Sequence, residues 1–287
     1  MTYELLLTPR RAARATIPIL SGFLIDLGIA ADSLVEQEAG GTQRVAVYLS
    51  SKTDATRWWR RIRASNLRGV IVRLRAWRDA DWQDRWKRHV RPFQITPGLR
   101  LVPAWSPEAA RGPDARRIVL ETGLAFGTGQ HPTTKWMAQF IERLRGRFED
   151  VLDVGLGTGI LAVVASRCGA RRIVGVDLER EAVDVSRRNL VVNGCWQATL
   201  LHDDVASVAL PHRFDLVVAN LGTRELLAVR RKLIAAVRPS KYLAVTGIGR
   251  DHAVRFRREF EDRRLRCLRI KTGPAWAGFL YQKRAIQ

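Results

Sequence analysis

Short apolar runs alternate with amphipathic stretches over the second part of the chain. The runs have the length of buried strands, and the stretches between them repeat apolar residues with the helical period. Strands separated by helices predict a doubly wound, Rossmann-like α/β fold with a mostly parallel sheet. The predicted strands are RRIVLET, VLDVG, RRIVGVDL, ATLLHDD, FDLVVANL and YLAVTGIG, and the predicted helices cover 133–147, 159–168, 179–193, 224–237 and 251–263. The last strands, CLRIKT and AGFLYQK, lack an intervening helix, which predicts an antiparallel hairpin at the sheet edge.

The beginning of the chain has a separate pattern of shorter elements. The strands YELLLT, QRVAVYLS and GVIVRLRAW alternate with two helices, one over 15–29 and one in DATRWWRRIRA. Proline-spaced sequence rich in Trp and Arg follows, up to about residue 113. We therefore predict a small N-terminal α+β domain over 1–78, a connector over 79–113 and the larger α/β domain over 114–287.

A short helix predicted in the connector carries basic and aromatic side chains together. Trp82 and Trp86 lie four residues apart, among Arg85, Lys87 and Arg88. Such a helix can stack on bases and neutralise phosphates. The same spacing places both tryptophans on one helix face, which would dock the helix on a domain while the arginines stay in water. Of the two interpretations we favour docking.

The 287-residue chain has a formal net charge of +21, which bears on its partners. Only seven of the 49 basic residues are lysines, so the base composition of the genome can account for the excess as easily as binding does. A field of this size nevertheless attracts anions, and it favours RNA, ribosomal particles or acidic proteins as partners. It would repel a free, highly basic substrate.

Composition also bears on location and redox state. No apolar run is long enough to span a bilayer, because Pro18 and Asp26 interrupt IPILSGFLIDLGIAA. No convincing cleavage site for a signal peptide follows this run, so we expect a cytoplasmic protein that does not bind membranes. Cys168, Cys195 and Cys267 are widely spaced, which favours buried thiols over disulfides or a metal site.

A glycine-rich turn joins the strand VLDVG to the following helix. Gly155 and Gly157 let the backbone approach a ligand and expose the amides at the start of the helix. The spacing is not that of dinucleotide-binding turns, and Asp153 would be poorly placed beside a pyrophosphate. Asp177 ends the next strand, 22 residues after Gly155, where a carboxylate can accept hydrogen bonds from ribose hydroxyls. An adenosine cofactor without phosphates is predicted, and S-adenosylmethionine fits best, with Asp153 near its cationic end.

Other interpretations of the acidic and amide residues stay open. Asp177 can instead cap the helix that follows it. Asp204 follows the third strand, where it either meets the adenine amino group or forms a turn. Asn220 closes the fourth strand, and ligands of open α/β sheets bind outside the carboxyl ends of the strands. We expect Asn220 beside the transferred group; a turn-forming asparagine is the alternative.

The segment GLAFGTGQHPTT, residues 123–134, resembles a loop of the ribosomal protein L-eleven methyltransferase family, PrmA. VLDVGLGTGILA, GVDLE, FDLVVANL and the late TGI are similar to further motifs of that family. The resemblance covers the chain from about residue 115 to its end, and it implies a seven-stranded methyltransferase sheet. The residues that it implies as ligands of S-adenosylmethionine are Thr134, Gly155, Asp177 and Asn220, with Phe126 and Leu221 lining the site.

The resemblance implies methyl transfer from S-adenosylmethionine to amino groups of a ribosomal protein, on lysine or the N-terminus, with L-eleven as the expected substrate. The small leading domain would then recognise the substrate, and Asn220 would be the catalytic residue that aims the amine. The alternatives are an RNA methyltransferase of the same fold and a non-catalytic ribosome- or RNA-binding protein that retains the fold. Against the first, Leu221 and Gly222 follow Asn220 where nucleic acid amino-methylating enzymes usually have two prolines. We expect a monomer.

The loop over 123–134 is expected to fold over the cofactor and the acceptor. Thr133 or Thr134 is expected to cap the helix that carries Met137 and Phe140. His131 is a candidate general base, because histidine titrates near neutral pH, and also a candidate structural brace of the loop. Of these two roles we favour bracing.

Overall fold

The computed structural model describes residues 1–10, 16–29, 34–39, 42–49, 51–65, 67, 69–77, 91–112, 114–121 and 129–285. Contacts along the chain separate two units, Met1–Val90 and Arg91–Gln287. Within the described ranges, no helix has both the length and the apolar composition that a membrane crossing requires.

The first unit is a four-stranded antiparallel sheet with two helices. Its strand order is β2-β3-β1-β4. Leu5 and Val45 of the sheet and Trp58 and Ile62 of the second helix are buried in one core. The five predicted elements are present. Strand β2 was not predicted, because its sequence LVEQEA is rich in residues that are depleted in strands. The elements are β1 Thr2–Pro9, α1 Thr16–Asp26, β2 Leu34–Ala39, β3 Thr42–Leu49, α2 Lys52–Ala64 and β4 Val70–Trp77.

A three-stranded sheet opens the second unit. Strands β5 (Phe93–Thr96) and β6 (Leu99–Pro103) are antiparallel, and β7 (Arg117–Leu120) runs parallel to β6. A 3-10 helix covers Pro107–Ala110. The sequence pattern predicted the β7 run as the first strand of the large sheet, and this was wrong. The alternation of apolar residues predicts that a strand exists, whereas its partner is decided by packing.

The remaining elements form a seven-stranded sheet in the order β10-β9-β8-β11-β12-β14-β13. All neighbours are parallel except β14, which is antiparallel to both β12 and β13. The predicted hairpin at the edge is therefore present. The elements are α3 Pro132–Arg143, β8 Asp150–Val154, α4 Ile160–Arg167, β9 Arg172–Asp177, α5 Arg180–Val192, β10 Ala198–His202, β11 Phe214–Asn220, α6 Thr223–Ala236, β12 Val237–Gly249, a 3-10 helix Arg250–His252, α7 Ala253–Phe260, β13 Leu265–Thr272 and β14 Trp276–Lys283.

Each face of the large sheet has its own core. Successive residues of a strand point to opposite faces, so Val151 belongs to one core and Leu152 to the other. Helices α3 and α4 cover the first face, and α6 and α7 cover the second. The strand order reverses between β8 and β11, and open α/β sheets form a ligand crevice at the carboxyl ends of the strands around such a reversal.

Charged side chains join the strands at the opposite edge of the sheet. Arg238 Nη1 lies 2.6 Å from Asp150 Oδ2 and 2.9 Å from Asp215 Oδ1. Arg172 Nη2 donates a second hydrogen bond to Asp150 Oδ2 at 2.8 Å. The hydrogen bond from Arg172, opposed by burial and assisted by Arg238, lowers the pKa of Asp150 to about 2. This network connects the amino ends of β8, β9, β11 and β12 and lies away from the crevice.

Candidate active site

Residues at or near the carboxyl ends of four strands meet at the crevice. Gly155 follows β8, Asp177 and Asn220 end β9 and β11, and Thr246 of β12 is the strand partner of Asn220. Because β8, β9, β11 and β12 are parallel neighbours, their carboxyl ends lie along one edge. The sheet therefore brings Gly155, Asp177 and Asn220 together, as the sequence predicted.

The glycine turn places backbone amides at this edge. Gly155 and Gly159 have φ angles of +77° and +75°, in the region that favours glycine. A Cβ atom on Gly155 would lie 2.6 Å from Leu221 Cδ2, and one on Gly159 would lie 2.8 Å from Ser186 Cβ. Helix α4 begins directly after Gly159, with no side chain capping its first amides. The start of α4 is thus a positive backbone end that can face a ligand.

Asp177 is fixed by backbone amides on both of its oxygens. Oδ2 accepts a hydrogen bond from the Gly157 amide at 3.0 Å, and Oδ1 accepts one from the Glu179 amide at 2.9 Å. The second contact ends at Glu179, the residue before α5, and spans only two positions as in an Asx turn, so Asp177 does not cap the first-turn amides of α5. Each carboxylate oxygen has a further lone pair, which leaves both able to accept hydrogen bonds from vicinal hydroxyls.

Asp153 is a fully buried carboxylate at the same turn. Its exposed fraction is 0%, and neither of its oxygens has a hydrogen-bond partner among the described residues. Burial, and then the charge of Asp177, raise the pKa of Asp153 well above its ordinary value, while the Ala162 amide acts in the opposite direction. A buried carboxylate without a partner is costly to fold, so a cationic ligand group nearby would relieve that cost.

Asn220 is held by two threonines. The Thr246 hydroxyl donates to Asn220 Oδ1 at 2.9 Å, and Asn220 Nδ2 donates to Thr134 Oγ1 at 3.4 Å. Both threonine side chains are buried, with exposed fractions of 0% and 1%. The amide is therefore oriented from both sides, and one hydrogen of Nδ2 and one lone pair of Oδ1 remain for another group. Thr246 was not among the predicted site residues, although it is the first residue of TGI, the late motif that resembles the family, and this motif was the available signal.

The helix after the loop begins at His131 rather than at a threonine. His131 Nδ1 accepts the Thr133 amide hydrogen bond at 3.4 Å and lies 2.7 Å from Thr133 Oγ1, and Pro132 is the first helical residue. The predicted capping by Thr133 or Thr134 was wrong, because both lie inside the first turn. The His131 ring also packs edge-on against Trp276, at 5.1 Å between ring centres. Burial lowers the pKa of His131 to about 4, with the charge of Lys135 assisting.

Two buried asparagines, Asn189 of α5 and Asn193 at the C-cap of this helix, tie the segment before the loop to the glycine turn. Asn193 pairs with both backbone groups of Val119, at 2.9 and 2.6 Å. Asn189 pairs in the same way with Glu121, at 2.6 and 2.8 Å, and also donates to the Thr158 carbonyl at 2.8 Å. Neither residue was among the predicted site residues. Their four-residue spacing on a helix was the available signal, because it places them on one face.

Two predicted ligands are less well defined. Asp204 is exposed, and its Oδ1 accepts a hydrogen bond from the Ala206 amide at 2.8 Å, as a turn residue does. It follows β10, and the neighbouring Asp203 amide donates to the Asp177 carbonyl at 3.0 Å, so it lies at the correct edge. Phe126 and the connector helix with Trp82 and Trp86 lie outside the described residues.

Comparison with known proteins decides the family. A sequence profile described as Ribosomal protein L11 methyltransferase (PrmA) matches residues 24–284, most of the chain. The chain belongs to the PrmA family. A PrmA relative from Geotalea uraniireducens, named Ribosomal protein L11 methyltransferase, is 31% identical over 265 residues, which cover 82% of this chain and 84% of the relative. Another of the same name, from Geobacter metallireducens, is 40% identical over 171 residues, 60% of this chain and 56% of the relative. This second alignment spans little more than half of the relative's length.

Solved structures agree with the PrmA assignment. A ribosomal protein L11 methylase from Lactobacillus delbrueckii subsp. bulgaricus superposes with a TM-score of 0.61 and 25% identity, covering 68% of this chain and 100% of that one. The predicted fold, family and class of enzyme are therefore confirmed, and S-adenosylmethionine is the cosubstrate of this class of enzyme. The roles of the individual site residues stay predictions.

Proposed function

We propose that this protein transfers methyl groups from S-adenosylmethionine to amino groups of ribosomal protein L11, on lysine side chains, the N-terminal amine or both. The observation that carries the proposal is the hydrogen-bonded set of Thr246, Asn220 and Thr134 beside the glycine turn and Asp177, in a chain of the PrmA family. Relatives that match most of this chain are named for methylation of that protein.

The described residues fit S-adenosylmethionine. We assign the ribose hydroxyls of S-adenosylmethionine to the Asp177 carboxylate. The rest of the cofactor would lie against the backbone of the turn with Gly155 and Gly157. Asp153, which has no hydrogen-bond partner among the described residues, is a natural counter-charge for a cationic methionine end. Leu221, which packs on Gly155, would line the site with Phe126, and Asp204 would meet the adenine. When bound, S-adenosylmethionine supplies a methyl group on a sulfonium, so the leaving group needs no proton from the protein.

The protein's own task is to position a neutral amine. A lysine has an ordinary pKa of about 10.4, so it must lose a proton before it can attack. Burial in the crevice and a nearby positive charge both favour the neutral amine. The free lone pair of Asn220 Oδ1 can accept one amine hydrogen and so aim the nitrogen lone pair. His131 is a weak base, because burial lowers its pKa to about 4, and its bonds are those of a brace.

The decisive experiment supplies radiolabelled S-adenosylmethionine together with separated ribosomal proteins and ribosomal RNAs. We expect label in the L11 band alone. Label in RNA would favour the alternative of an RNA methyltransferase. Cofactor binding without label in any fraction would favour a non-catalytic ribosome- or RNA-binding protein.

Replacing Asn220 tests its assigned role. Asn220→Ala removes the oriented amide while leaving Asp177 and the glycine turn in place, so turnover should fall at least tenfold with a smaller change in cofactor affinity. Steady-state rates and calorimetric titration separate the two effects. An unchanged turnover number would remove Asn220 from this role.

The wider context follows from the same proposal. We propose a cytoplasmic, monomeric enzyme whose N-terminal unit recognises the substrate. The net charge of +21 favours ribosomal particles or RNA as additional partners. A basic substrate protein that already carries RNA would be attracted by this field, whereas the free protein would be repelled.

A further inference from the structure

Helix α2 of the first unit has one buried face and one strongly basic face. Its buried residues are Ala55, Trp58 and Ile62. Lys52, Arg57, Arg60, Arg61 and Arg63 are all exposed, and Asp54 is the one acidic residue of the helix. We propose that this outward face of α2 binds RNA, with its arginines contacting backbone phosphates. The proposal goes beyond methyl transfer and is tested without it.

Three of the four arginines of α2 have no ion pair among the described residues, whereas two of the three arginines of α7 have one. In α7, Arg255 pairs with Glu259 at 2.6 Å and Arg257 with Glu261 at 2.8 Å, both four residues apart. In α2, Arg57 pairs with Asp54 at 2.9 Å, whereas the described structure gives Arg60, Arg61 and Arg63 no ion pair.

The spacing on α2 is also unfavourable for the helix itself. Arg57 stands three residues before Arg60 and four before Arg61, so these like charges are neighbours on the surface. Like charges at this spacing destabilise a helix. A ligand with closely spaced negative charges would remove that repulsion.

Tryptophans hold part of this basic face in place. The guanidinium groups of Arg57 and Arg61 each lie 5.3 Å from the Trp58 ring centre, and that of Arg63 lies 4.8 Å from the Trp59 ring centre. Stacking restricts side chains that would otherwise be highly mobile, so less entropy is lost when they bind. The described residues that line the open surface along this side of α2 are Lys52, Thr53, Thr56, Arg57, Arg60, Arg61 and Ala64.

The chemistry of this face favours phosphates over a protein partner. Guanidinium groups match phosphate oxygens with two parallel hydrogen bonds. Protein interfaces depend on aromatic or aliphatic anchors buried at their centre, and the tryptophans of α2 lie beneath the arginines instead. A helix of this length extends about 20 Å, enough to follow several phosphates.

The test compares two triple variants of the full chain with the same change in net charge. One carries Arg57→Glu, Arg60→Glu and Arg61→Glu on α2. The control carries Arg258→Glu, Arg263→Glu and Arg269→Glu, at exposed positions of the second unit. Binding of a short labelled RNA duplex is measured by fluorescence anisotropy over a range of salt concentrations, and thermal unfolding and cofactor binding check that both variants are folded.

We expect the α2 variant to bind RNA at least tenfold more weakly at roughly 0.1 M salt. A plot of log affinity against log salt concentration should also become less steep, by about one unit of slope for each phosphate contact that is lost. The control should change much less. Equal losses in both variants would show that the net charge alone binds RNA, and would overturn the proposal. It would also be overturned if the native chain did not bind the duplex, or if polyglutamate bound to α2 in place of RNA. None of these results depends on methyl transfer, so a failure here is distinct from a failure of the proposed function.

Discussion

Replacing Gly159 by alanine tests whether the glycine turn is shaped by contact between helices. Gly159 precedes α4 with a φ of +75°, and a Cβ atom there would lie 2.8 Å from Ser186 Cβ and 3.1 Å from Ser186 Cα on α5. The second distance is to backbone, so rotation of a side chain cannot relieve it. Helix α4 must move away from α5 if the alanine is to fit.

Gly146 provides a matched control for this change. Its φ is +76°, and no atom lies within 4 Å of the position of an added Cβ. Both alanine variants therefore incur the left-handed backbone cost of about 1–2 kcal/mol. Gly159→Ala should lose a further 1–3 kcal/mol or so, by analogy with overpacked cores. For a chain of 287 residues that difference corresponds to roughly 2–5 °C in melting temperature.

Calorimetry measures both consequences. Differential scanning calorimetry compares the melting temperatures, and titration with S-adenosylmethionine compares the affinities. Gly159→Ala should bind the cofactor at least tenfold more weakly, because the first amides of α4 are displaced, whereas Gly146→Ala should bind it normally. Equal destabilisation of the two variants would refute the argument from contact with Ser186.

Three further predictions concern titration and orientation. Burial lowers the pKa of His131 from 6.5 to about 4, so the stability it contributes is complete above pH 6.5 and falls, by up to roughly 3 kcal/mol, as the pH drops towards 4. The His131→Asn variant keeps a side chain that can cap the helix, and its free energy of unfolding, measured in urea, should depend less on pH. An unchanged pH dependence would show that another group causes it. The hydrogen bond from Arg172 lowers the pKa of Asp150 from 3.8 to about 2. About 2 kcal/mol of stability should therefore be lost as the pH falls from 3.8 to about 2. Asp150→Asn should abolish this loss in acid unfolding. Thr246→Val removes the hydroxyl that orients Asn220 and should lower kcat severalfold with little change in the KM for cofactor, while Thr246→Ser should restore the rate; equal rates in both variants would contradict an orienting role.

Much of the fold was predictable because its signals are local. Apolar periodicity gave the elements of both units, and the glycine turn, Asp177 and Asn220 followed from residue types at strand ends. Prediction was less successful where two signals competed at one position. Thr133 and Thr134 are better capping residues than histidine in general, yet Pro132 fixes the start of α3 one residue earlier and leaves His131 at the cap.

The partners of residues that act over long sequence separations were not predictable. Asn189 and Asn193 bind backbone groups about 70 positions away, and Thr246 binds Asn220 across 26 positions. Each is an ordinary polar residue of a helix or strand until its neighbour is known.

The sequence by itself determined which elements form and which residues end the strands, because backbone preferences and turn chemistry act within a few positions. Tertiary structure decided that β7 pairs with β6 and that Asp153 is buried with no hydrogen-bond partner among the described residues. It also decided that Arg255 and Arg257 of α7 have ion pairs, whereas Arg60, Arg61 and Arg63 of α2 have none in the part of the chain that the structure describes. The physical reason is that pairing, burial and charge compensation depend on distances between segments, and packing alone sets those distances.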